Sequence, residues 1–583
     1  MRGLQKVLIA NRGEIAVRIM QTCAEMGIAT VAVYSDADAR ALHVRRAVES
    51  YCLGPAPAAE SYLNVEKLIE IATQSGAAAI HPGYGFLAEN PRLAEACRAA
   101  GIVFIGPSPE AMRLLGSKQA AKPLARRVGV PVVPGYDGEA QDVDTLADQA
   151  RQIGFPLLIK ASAGGGGRGM RTVHAPEAFL EALESAKREA QSAFGDDTVL
   201  LERIVEGARH VEVQVLADEH GHIVHLGERE CSVQRRRQKV IEESPSPAVT
   251  PELRKAMGAA AVRLAQAAGY VNAGTVEFLL GRSGDYHFLE VNTRLQVEHP
   301  VTELVTGLDL VREQLRIAAG LPLSIRQEAV RPRGHTIECR IYAEDPARSF
   351  QPSTGRLLLF EPPAGAGIRN DVGAGTGDDV TPYYDPLLAK LIVIASDRAA
   401  CIERAQAALR SYTVLGVTTN LPLLKAILDS DAFCQGALST EYLDSHLREL
   451  TARTAGQSLP DSVLLAAAGG QVASSGGAAA DRARPRDPWQ AGPWRVAGQG
   501  LSFHYLYGDQ EIAVTAHRRQ AGLWTMRLPS GEHTVSLERA GPATLLIREG
   551  ACTWSPRVVE TAGALYVGLS GEAYTLHKRR GLD

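Results

Sequence analysis

The decisive stretch of this 583-residue sequence, residues 290–300, reads Glu290-Val291-Asn292-Thr293-Arg294-Leu295-Gln296-Val297-Glu298-His299-Pro300. In an extended strand alternate side chains share a face, so five polar groups would line one face here. They are Glu290, Asn292, Arg294, Gln296 and Glu298. The intervening valines and leucine favour burial of the other face. Carboxylates and an amide suit a hard cation, and an arginine, a glutamine and another carboxylate suit a small anion and a base. The stretch therefore predicts a reaction centre, with a solvated charged face as the alternative.

The residues before this stretch predict a β-hairpin. Residues 273–280 are rich in strand formers, residues 281–285 form a Gly-containing turn, and a second strand begins at Tyr286. If the loop holds an even number of residues, Glu277 and Glu290 share a face and lie diagonal to each other. Two carboxylates that close repel unless a divalent cation lies between them. Because Mg²⁺ prefers oxygen ligands, we predict a Mg²⁺ or Mn²⁺ site at Glu277, Glu290 and Asn292.

A second motif predicts a phosphate-binding loop. Residues 155–160 have a buried-strand pattern that ends at Lys160, residues 164–167 are four consecutive glycines, and residues 171–173 favour another strand. Consecutive glycines let backbone amides approach a polyphosphate closely. The run matches neither the Walker nor the dinucleotide fingerprint. A merely flexible loop is one alternative, but the order of strand, lysine, glycines and strand favours a lid over ATP. Lys118 precedes the motif and could reach the same phosphates.

Composition excludes several other classes of protein. The formal net charge of −4 gives no reason to expect nucleic acid, and the cluster at residues 235–237 is short. Eight cysteines without a C-x-x-C pair indicate neither a disulfide framework nor a zinc site, which favours a reducing cytoplasm. Residues 6–10 are too short for a signal peptide, and no apolar run is long enough to span a membrane.

Taken in order, these motifs resemble those of biotin carboxylases of the ATP-grasp superfamily, within the acyl-CoA carboxylase α-subunits. The matching segments extend to about residue 447 and are residues 7–14, 81–90, Lys160 with its glycines, 210–214, 228–236, 290–300 and 338–340. The resemblance is greatest to the α-subunits of 3-methylcrotonyl-CoA and geranyl-CoA carboxylase. It implies ATP- and bicarbonate-dependent carboxylation of biotin.

The resemblance also implies roles for individual residues around the nucleotide. The residues expected at the phosphates are Lys118, Lys160, His210 and the amides of Gly165, Gly166 and Gly167. Adenine would lie at Glu202. The metal would be held by Glu277 and Glu290, with Asn292 beside it.

For bicarbonate and biotin, the resemblance implies a second set of residues. Bicarbonate would be held by Arg294, Gln296, the Val297 backbone and Lys239, and deprotonated by Glu298 as general base. Its attack on the γ-phosphoryl group of ATP would give carboxyphosphate, which breaks down to CO₂ and phosphate. Arg340 would stabilise the enolate of biotin, and Tyr84 and Gly85 would form the wall of the biotin site.

Each assignment has a structural alternative. His210 could be an edge-strand histidine, Lys118 could simply begin a helix, Arg340 could pair with Glu338, and residues 81–85 could be only a turn. One position departs from the family: residue 237 is often histidine or asparagine, whereas this chain has Arg237. That substitution leaves nucleotide affinity open.

The predicted fold class is α/β with four domains. Residues 1–117 form a Rossmann-like N-terminal domain, 118–330 an ATP-grasp domain, and 331–447 an α+β C-terminal carboxylase domain. Residues 448–488 have the Ala, Gly, Ser, Arg and Pro composition of a linker, with a possible helix at 462–468. Residues 489–583 favour a small all-β, barrel-like domain that resembles the subunit-docking domain of acyl-CoA carboxylase α-subunits.

The partners follow from the resemblance. A biotin carrier domain needs a lysine between methionines, and the only lysine after Lys425 is Lys578 in a different context. We therefore expect biotin on a carrier domain or protein outside this sequence, a carboxyltransferase β-subunit, and an oligomeric complex. Two other functions remain open: another ATP-grasp ligase that joins a carboxylate to an amine, and a non-catalytic scaffold.

Overall fold

The computed structural model describes residues 3–162, 170–452, 459–475, 500–520 and 522–579. The predicted glycine lid, with Gly165, Gly166 and Gly167, lies outside these residues. The side chain of Lys118 is also outside the description, although its backbone begins a helix after the N-cap Ser117.

The N-terminal part is built around a parallel sheet. Its strands are β1 (Lys6–Ile9), β2 (Ala29–Ser35), β3 (Glu49–Gly54), β4 (Ala79–His81) and β5 (Val103–Phe104), and its helices are α1 (Gly13–Glu25), α2 (Leu42–Arg46), α3 (Val65–Ser75), α4 (Pro91–Ala99) and α5 (Pro109–Gly116). The strand order is β3-β2-β1-β4-β5. Apolar side chains of β1 and β2 are fully buried between the helices, which explains their uninterrupted valine and isoleucine content.

The next segment forms a small antiparallel sheet. Its elements are α6 (Lys118–Arg127), β6 (Gly135–Tyr136), α7 (Val143–Ile153), β7 (Leu157–Ala161), β8 (Met170–Val173), α8 (Phe179–Phe194) and β9 (Val199–Arg203). The strand order is β6-β9-β7-β8. Helices α7 and α8 cover it with a core of its own. Strands β7 and β8 flank the predicted glycine lid.

An eight-stranded antiparallel sheet forms the centre of the molecule. Its strands are β10 (Arg209–Ala217), β11 (Ile223–Arg235), β12 (Gln238–Ser244), β13 (Asn272–Leu280), β14 (Tyr286–Asn292), β15 (His335–Tyr342), β20 (Ile368–Val372) and β22 (Leu387–Ala395), and the helices of this segment are α9 (Pro251–Ala267), α10 (His299–Thr306) and α11 (Leu310–Ala318). The short strands β16 (Glu344–Asp345), β17 (Gln351–Pro352), β18 (Gly355–Arg356), β19 (Leu359–Glu361) and β21 (Asp379–Val380) lie outside this sheet, with β16 paired to β17 and β18 paired to β21. The order is β14-β13-β10-β11-β12-β15-β22-β20. One sheet therefore crosses the predicted domain boundary at residue 330.

The hairpin of β13 and β14 corrects two details of the sequence interpretation. Glu277 lies directly opposite Glu290, not diagonal to it, because the register shifts just after Glu277. The strand predicted over residues 290–300 ends at Asn292, and α10 begins at His299 with a proline in its first turn. A loop joins them, and its Thr293 amide donates to Glu89 at 3.0 Å. The strand stops because the Thr293 amide donates to the side chain of Glu89 instead of to a neighbouring strand.

Further helices complete this part of the chain. They are α12 (Arg398–Ser411), α13 (Leu421–Leu428), α14 (Asp431–Cys434) and α15 (Tyr442–Ala452), with the short strand β23 (Thr413–Leu415) between the first two. Their apolar faces pack on β15 and β22 in the largest hydrophobic core of the described chain.

The C-terminal sheet curves around a helix. Helix α16 (Asp461–Ser475) lies inside nine antiparallel strands: β24 (Leu501–Tyr507), β25 (Gln510–Gln520), β26 (Leu523–Leu528), β27 (Gly531–Arg539), β28 (Leu545–Glu549), β29 (Cys552–Trp554), β30 (Arg557–Glu560), β31 (Ala564–Leu569) and β32 (Glu572–Lys578). Backbone hydrogen bonds from Leu545 to Pro556 (3.1 Å) and from Val558 to Ala543 (2.7 Å) bring the two ends of the sheet together.

Helix α16 changes the interpretation of residues 448–488. The segment has the composition of a linker, yet residues 463–468 and Val472 are buried in the core of the C-terminal sheet. Small side chains make this packing possible, because a Cβ on Gly470 would lie 2.7 Å from Val558. Residues 476–488 lie outside the described residues. No helix in the described ranges combines the length and hydrophobicity of a membrane span.

Candidate active site

Three carboxylates form a row across the central sheet. Glu212 on β10 lies directly opposite Glu277 on β13, and Glu277 lies opposite Glu290 on β14. Directly opposed residues share a face, and like charges in that arrangement are destabilising. Glu212 and Glu277 are buried, so cations or protons must neutralise them. The side chains around the row supply those cations.

Lys239 is the cation at the centre of this row. Its Nζ donates to Glu212 at 2.6 Å, to Glu277 at 3.0 Å and to Glu298 at 2.5 Å. Burial opposes the charge on Lys239, but Glu212, Glu277 and Glu298 outweigh it and raise the lysine pKa well above its usual value. Lys239 therefore stays charged and ties the carboxylate row to the loop before α10.

Glu298 lies between two cations. Arg340 on β15 donates from Nη2 to Glu298 Oε2 at 2.9 Å, while Lys239 contacts the other oxygen. Burial and Glu212 would raise the pKa of Glu298, but Lys239, Arg340 and Arg229 hold it below its usual value. The carboxylate is therefore ionised at neutral pH, as a general base must be before it accepts a proton.

The loop after β14 brings the predicted anion-binding residues beside that base. Arg294 donates from Nε to Glu89 at 2.9 Å and from Nη2 to Asn292 at 3.0 Å. Gln296 donates from Nε2 to Glu277 at 2.9 Å. The Val297 carbonyl accepts a hydrogen bond from the buried Lys390 at 2.9 Å, which fixes the backbone next to Glu298.

His210 lies next to the shared carboxylate. Its Nε2 is 3.1 Å from Glu277 Oε2. Burial lowers the pKa of His210, but Glu277 raises it, with a net rise to about 9. Strand β10 is internal, between β13 and β11, so the alternative of an edge-strand histidine is wrong.

Glu202 is buried against two lysines. Lys122 on α6 and Lys160 on β7 each donate to one of its carboxylate oxygens. Burial would raise the pKa of Glu202, but Lys160 and Lys122 lower it to about 2. Lys160 and Glu202, both predicted at the nucleotide, are thus brought together in the structure.

The predicted metal ligands converge on Glu277. The amide of Asn292 donates to Glu277 Oε1 at 2.8 Å, and Glu290 lies opposite in the hairpin. His210, Glu212 and Glu277 offer another group of ligand atoms within 4.8 Å of one another. Two opposed carboxylates with an amide oxygen nearby fit a hard divalent cation. Residues Glu277, Glu290 and Asn292 therefore suit Mg²⁺.

Tyr84 and Gly85 lie on the loop after β4. Gly83 and Gly85 have left-handed φ values of +62° and +69°, so the segment is a turn, and its carbonyls at Pro82 and Tyr84 accept from Asn11 at 2.7 Å. The phenol of Tyr84 donates to Glu14. Glu14 also contacts Lys390 at 3.2 Å, which links the turn to the Val297 carbonyl.

Arg340 on β15 lies directly opposite Lys390 of β22 in the strand register. Its Nε donates to Glu242 at 2.5 Å in addition to the contact with Glu298. Burial opposes its charge, but Glu242, Glu298 and Glu338 raise its pKa well above the usual value. The alternative pairing with Glu338 alone is wrong, since neither oxygen of Glu338 accepts a hydrogen bond from the described residues.

Comparison with known proteins accounts for most of the chain. Three families match: "Biotin carboxylase, N-terminal domain" at residues 3–112, "Carbamoyl-phosphate synthase L chain, ATP binding domain" at residues 117–326, and "Biotin carboxylase C-terminal domain" at residues 338–445. Biotin carboxylase 2 of Bacillus subtilis is 52% identical over 442 residues, which are 76% of this chain and 99% of that protein. The chain belongs to the biotin carboxylase family.

Other relatives come from larger carboxylases. The methylcrotonoyl-CoA carboxylase α-subunit of Rattus norvegicus is 49% identical over 449 residues, 77% of this chain and 63% of that protein. A pyruvate carboxylase subunit of Methanothermobacter thermautotrophicus is 51% identical over 447 residues, 77% of this chain and 91% of that protein. These identities are so similar that they do not distinguish the acyl group. Family membership establishes ATP-dependent carboxylation of biotin.

Solved structures of biotin carboxylases have the same fold. The biotin carboxylase domain of the Hydrogenobacter thermophilus 2-oxoglutarate carboxylase, solved with MgADP, ADP and bicarbonate, matches with a TM-score of 0.75 and 46% identity over 77% of this chain and 99% of that chain. The Campylobacter jejuni biotin carboxylase matches with a TM-score of 0.74 and 43% identity over 76% and 99%.

In this biotin carboxylase, sequence reasoning missed Arg229 and Lys122. Arg229 is fully buried, and it donates to Glu212 (2.5 Å), Gln214 (2.7 Å), Thr302 (3.0 Å), Thr275 (3.1 Å) and Gln296 (2.6 Å). It orients Gln296 and neutralises Glu212. The sequence did place Arg229 in the motif at residues 228–236, but the partners of Arg229 depend on strand register, which the sequence does not contain. Lys122 gave only the signal of a lysine one helical turn after Lys118.

Proposed function

We propose that this biotin carboxylase is the α-subunit of an acyl-CoA carboxylase and carboxylates biotin on a carrier through carboxyphosphate. The observation that carries the chemistry is the ionised Glu298 held between Lys239 and Arg340 at 2.5 and 2.9 Å. The observation that favours the α-subunit role is the C-terminal sheet that follows the carboxylase part. The following steps assign the residues on this basis.

Bicarbonate binds beside Glu298. Arg294, Gln296, Lys239 and the Val297 backbone surround it and neutralise its charge. Glu298 removes its proton, which makes the oxygen a stronger nucleophile toward the γ-phosphoryl group of ATP. Lys239 then stabilises the negative charge of the developing carboxyphosphate beside the base. The products of this step are ADP and carboxyphosphate.

The nucleotide is held on the other side of the carboxylate row. The proposed phosphate contacts are Lys118, Lys160, His210 and the amides of Gly165, Gly166 and Gly167, with adenine at Glu202. Mg²⁺ at Glu277, Glu290 and Asn292 supplies charge neutralisation for the polyphosphate. For Lys160 to contact phosphate, it must share or leave its contact with Glu202. This assignment predicts that nucleotide binding rearranges the pair.

Biotin is accepted at Arg340. Carboxyphosphate breaks down to CO₂ and phosphate, and the phosphate takes the N–H proton of the ureido nitrogen of biotin. Negative charge develops on the ureido oxygen as the nitrogen attacks CO₂ and the N–C bond forms. A guanidinium that remains ionised is suited to stabilise that charge. Tyr84 and Gly85 would form the wall of this site, joined to the catalytic loop through Glu14 and Lys390.

The C-terminal sheet would dock the carboxyltransferase β-subunit. It is itself anchored to the carboxylase part: Lys425 donates to the Ser570 carbonyl at 2.7 Å and to Glu572 at 3.0 Å, and Arg557 donates to Glu361 at 2.6 Å. A rigid connection of this kind would hold a partner at a set distance from the active site. All eight cysteines are free thiols, in keeping with the reducing cytoplasm proposed as its location.

The test is ADP release by the purified chain with ATP, Mg²⁺ and bicarbonate, with and without free biotin. We expect biotin to stimulate turnover. Stimulation by amines instead would indicate a carboxylate–amine ligase, and no turnover would indicate a scaffold. Mass spectrometry of co-purified chains tests the partner assignment separately, because both a biotinylated carrier and a carboxyltransferase subunit should be recovered.

A further inference from the structure

Behind Arg340, two buried glutamates lie directly opposite each other, and none of the described residues donates a hydrogen bond to the second of them, Glu338. Glu242 on β12 and Glu338 on β15 are directly opposite in the strand register, and both side chains are fully buried. Arg340 Nε donates to one oxygen of Glu242 at 2.5 Å. Within the described residues, the second oxygen of Glu242 and both oxygens of Glu338 accept no hydrogen bond.

Two ionised carboxylates are not stable in this arrangement. Like charges on opposed residues repel, and a buried carboxylate without donors loses its hydration without compensation. A single proton resolves both problems. Protonated Glu338 has an O–H donor. The second carboxylate oxygen of Glu242, the residue directly opposite, is an acceptor that receives no other hydrogen bond from the described residues.

We propose that Glu242 and Glu338 hold one proton between them, and that this pair positions Arg340 for its contact with Glu298 and biotin. Glu242 is the ionised member because Arg340 already neutralises it. Glu338 is the neutral member. The inference rests on the proposed role of Arg340 at biotin, and it adds two positioning residues behind it.

The remaining charged and titratable groups around the pair agree with this division. They are Lys239 on β12, Cys339 and Arg340 on β15, Lys390 on β22, Cys231 on β11 and Glu298 before α10. Burial raises the pKa of Glu242 to about 7, against the effect of Arg340. Burial raises the pKa of Glu338 well above its usual value, since Lys390 compensates only in part.

The pair gives the reaction a specific pH dependence. Below about pH 7 Glu242 is also protonated and Arg340 loses its charged anchor. Above about pH 7, ionised Glu242 accepts the hydrogen bond from Arg340 Nε, and Arg340 Nη2 remains directed at Glu298. Because the folded pKa is raised, the active form appears as pH rises through about 7. Biotin-dependent kcat should therefore show an acid limb there.

The experiment compares this acid limb in the wild type, Glu338→Gln, Glu338→Met and Glu242→Gln, using ADP release with free biotin at saturating ATP, Mg²⁺ and bicarbonate. Glutamine keeps a neutral hydrogen-bond donor, so Glu338→Gln should change the apparent pKa of the acid limb by less than about 0.3 unit. Methionine removes the donor to Glu242, so Glu338→Met should raise the apparent pKa of the acid limb by about one unit. Glu242→Gln should lower kcat about 100-fold by misplacing Arg340, with KM for ATP unchanged.

The opposite results would overturn the proposal. If Glu338 were ionised, Glu338→Gln would remove a negative charge and lower the apparent pKa of the acid limb by about one unit or more. Equal apparent pKa values of the acid limb in Glu338→Met and Glu338→Gln would show that residue 338 donates no hydrogen bond to Glu242. Infrared difference spectroscopy at pH 8 provides a readout without turnover: because burial also raises the pKa of Glu14 and Glu230, the test is the wild-type spectrum minus the Glu338→Gln spectrum, which should contain the carbonyl band of one protonated carboxyl group. If that band is present but Arg340→Ala leaves biotin-dependent ADP release unchanged, the shared proton stands and only the role of Arg340 at biotin is rejected.

Discussion

The two large sheets of this protein bury opposite kinds of side chain. The eight-stranded sheet places Glu212, Arg229, Glu242, Glu338 and Lys390 in its interior, each fully shielded from solvent. The nine-stranded sheet encloses α16, whose buried residues are valine, leucine, alanine and glycine. Buried charge stabilises a fold less than apolar packing of the same volume. A sheet that retains so much of it is organised for chemistry, whereas the C-terminal sheet is organised for rigidity.

The contact between the two regions depends on glycine. A Cβ on Gly568 would lie 2.6 Å from Thr413, and one on Gly571 would lie 2.2 Å from the Leu409 carbonyl. These positions let β31 and the turn after it approach the helical layer of the carboxylase part directly. The comparison therefore predicts separable effects: changes in one sheet should impair chemistry, and changes in the other should impair stability and docking.

The largest effect is expected from Glu298→Gln. The amide cannot accept the bicarbonate proton, and Lys239 and Arg340 lose the charge between them. We expect biotin-dependent ADP release to fall about 10³-fold, within the usual range for loss of a general base. Nucleotide binding, measured by calorimetry, should be retained.

A matched change at an exposed glutamate, Glu252→Gln on α9, should leave the rate unchanged. Substantial turnover in Glu298→Gln would reject the base assignment, and the buried charges of the central sheet would then have no catalytic explanation.

The second effect concerns Arg340→Ala. Loss of the guanidinium removes the cation for the developing ureido oxyanion, for which a cost of about 10²-fold is typical. Biotin-stimulated ADP release should fall by that factor, while bicarbonate-dependent ADP release without biotin changes far less. Arg340→Lys, which keeps a charge but loses the second donor, should recover only part of the rate. Equal losses in both assays would show that Arg340 does not act at biotin.

Apolar periodicity predicted both regions, but not how each is used. The Rossmann-like domain expected over residues 1–117 contains the parallel sheet β1 to β5, and the all-β domain expected over residues 489–583 contains strands β24 to β32. The end of β14 at Asn292 was missed because alternation of polar and apolar residues continues through a loop. That loop is held by a tertiary contact between Thr293 and Glu89, which local pattern does not contain.

Site residues with a local motif were predicted, and those that act through register were not. Lys239, Glu298 and Arg340 converge as expected, but Arg229 reaches its five partners only because β10, β11 and β13 are paired as they are. Helix α16 is the converse case: the possible helix at residues 462–468 is confirmed, but its burial inside the C-terminal sheet was not predicted. Alanine and glycine are typical of linkers, yet the same small side chains allow a helix to pack closely inside a curved sheet.

A third effect sharpens the metal assignment. Glu290→Gln removes one carboxylate ligand but keeps the hairpin pairing with Glu277. We expect the Mg²⁺ concentration for half-maximal ADP release to rise about 10-fold, because Mg²⁺ is bound through few carboxylates. Saturating Mg²⁺ should restore most of the rate. An unchanged titration would assign the metal to the other group, His210, Glu212 and Glu277.

The smallest effect on chemistry is expected in the C-terminal sheet. Leu465→Ala empties a buried position on α16, where Leu465 is 1% exposed, and should destabilise this sheet by about 2–5 kcal/mol. Differential scanning calorimetry should show that loss. Biotin-dependent ADP release below the transition should stay within about 2-fold of wild type, because none of the proposed catalytic residues lies on this sheet and uninvolved sites perturb rates little.

The comparison fails if the two regions are not separable. Leu180→Ala on α8, where the leucine is 52% exposed, is the matched control and should change stability by no more than about 0.5 kcal/mol. If Leu465→Ala lowers turnover in parallel with stability, the C-terminal sheet supports the active site itself. If it leaves turnover intact but releases the carboxyltransferase partner, rigidity around α16 is what docking requires, and the apolar core of this sheet has its functional reason.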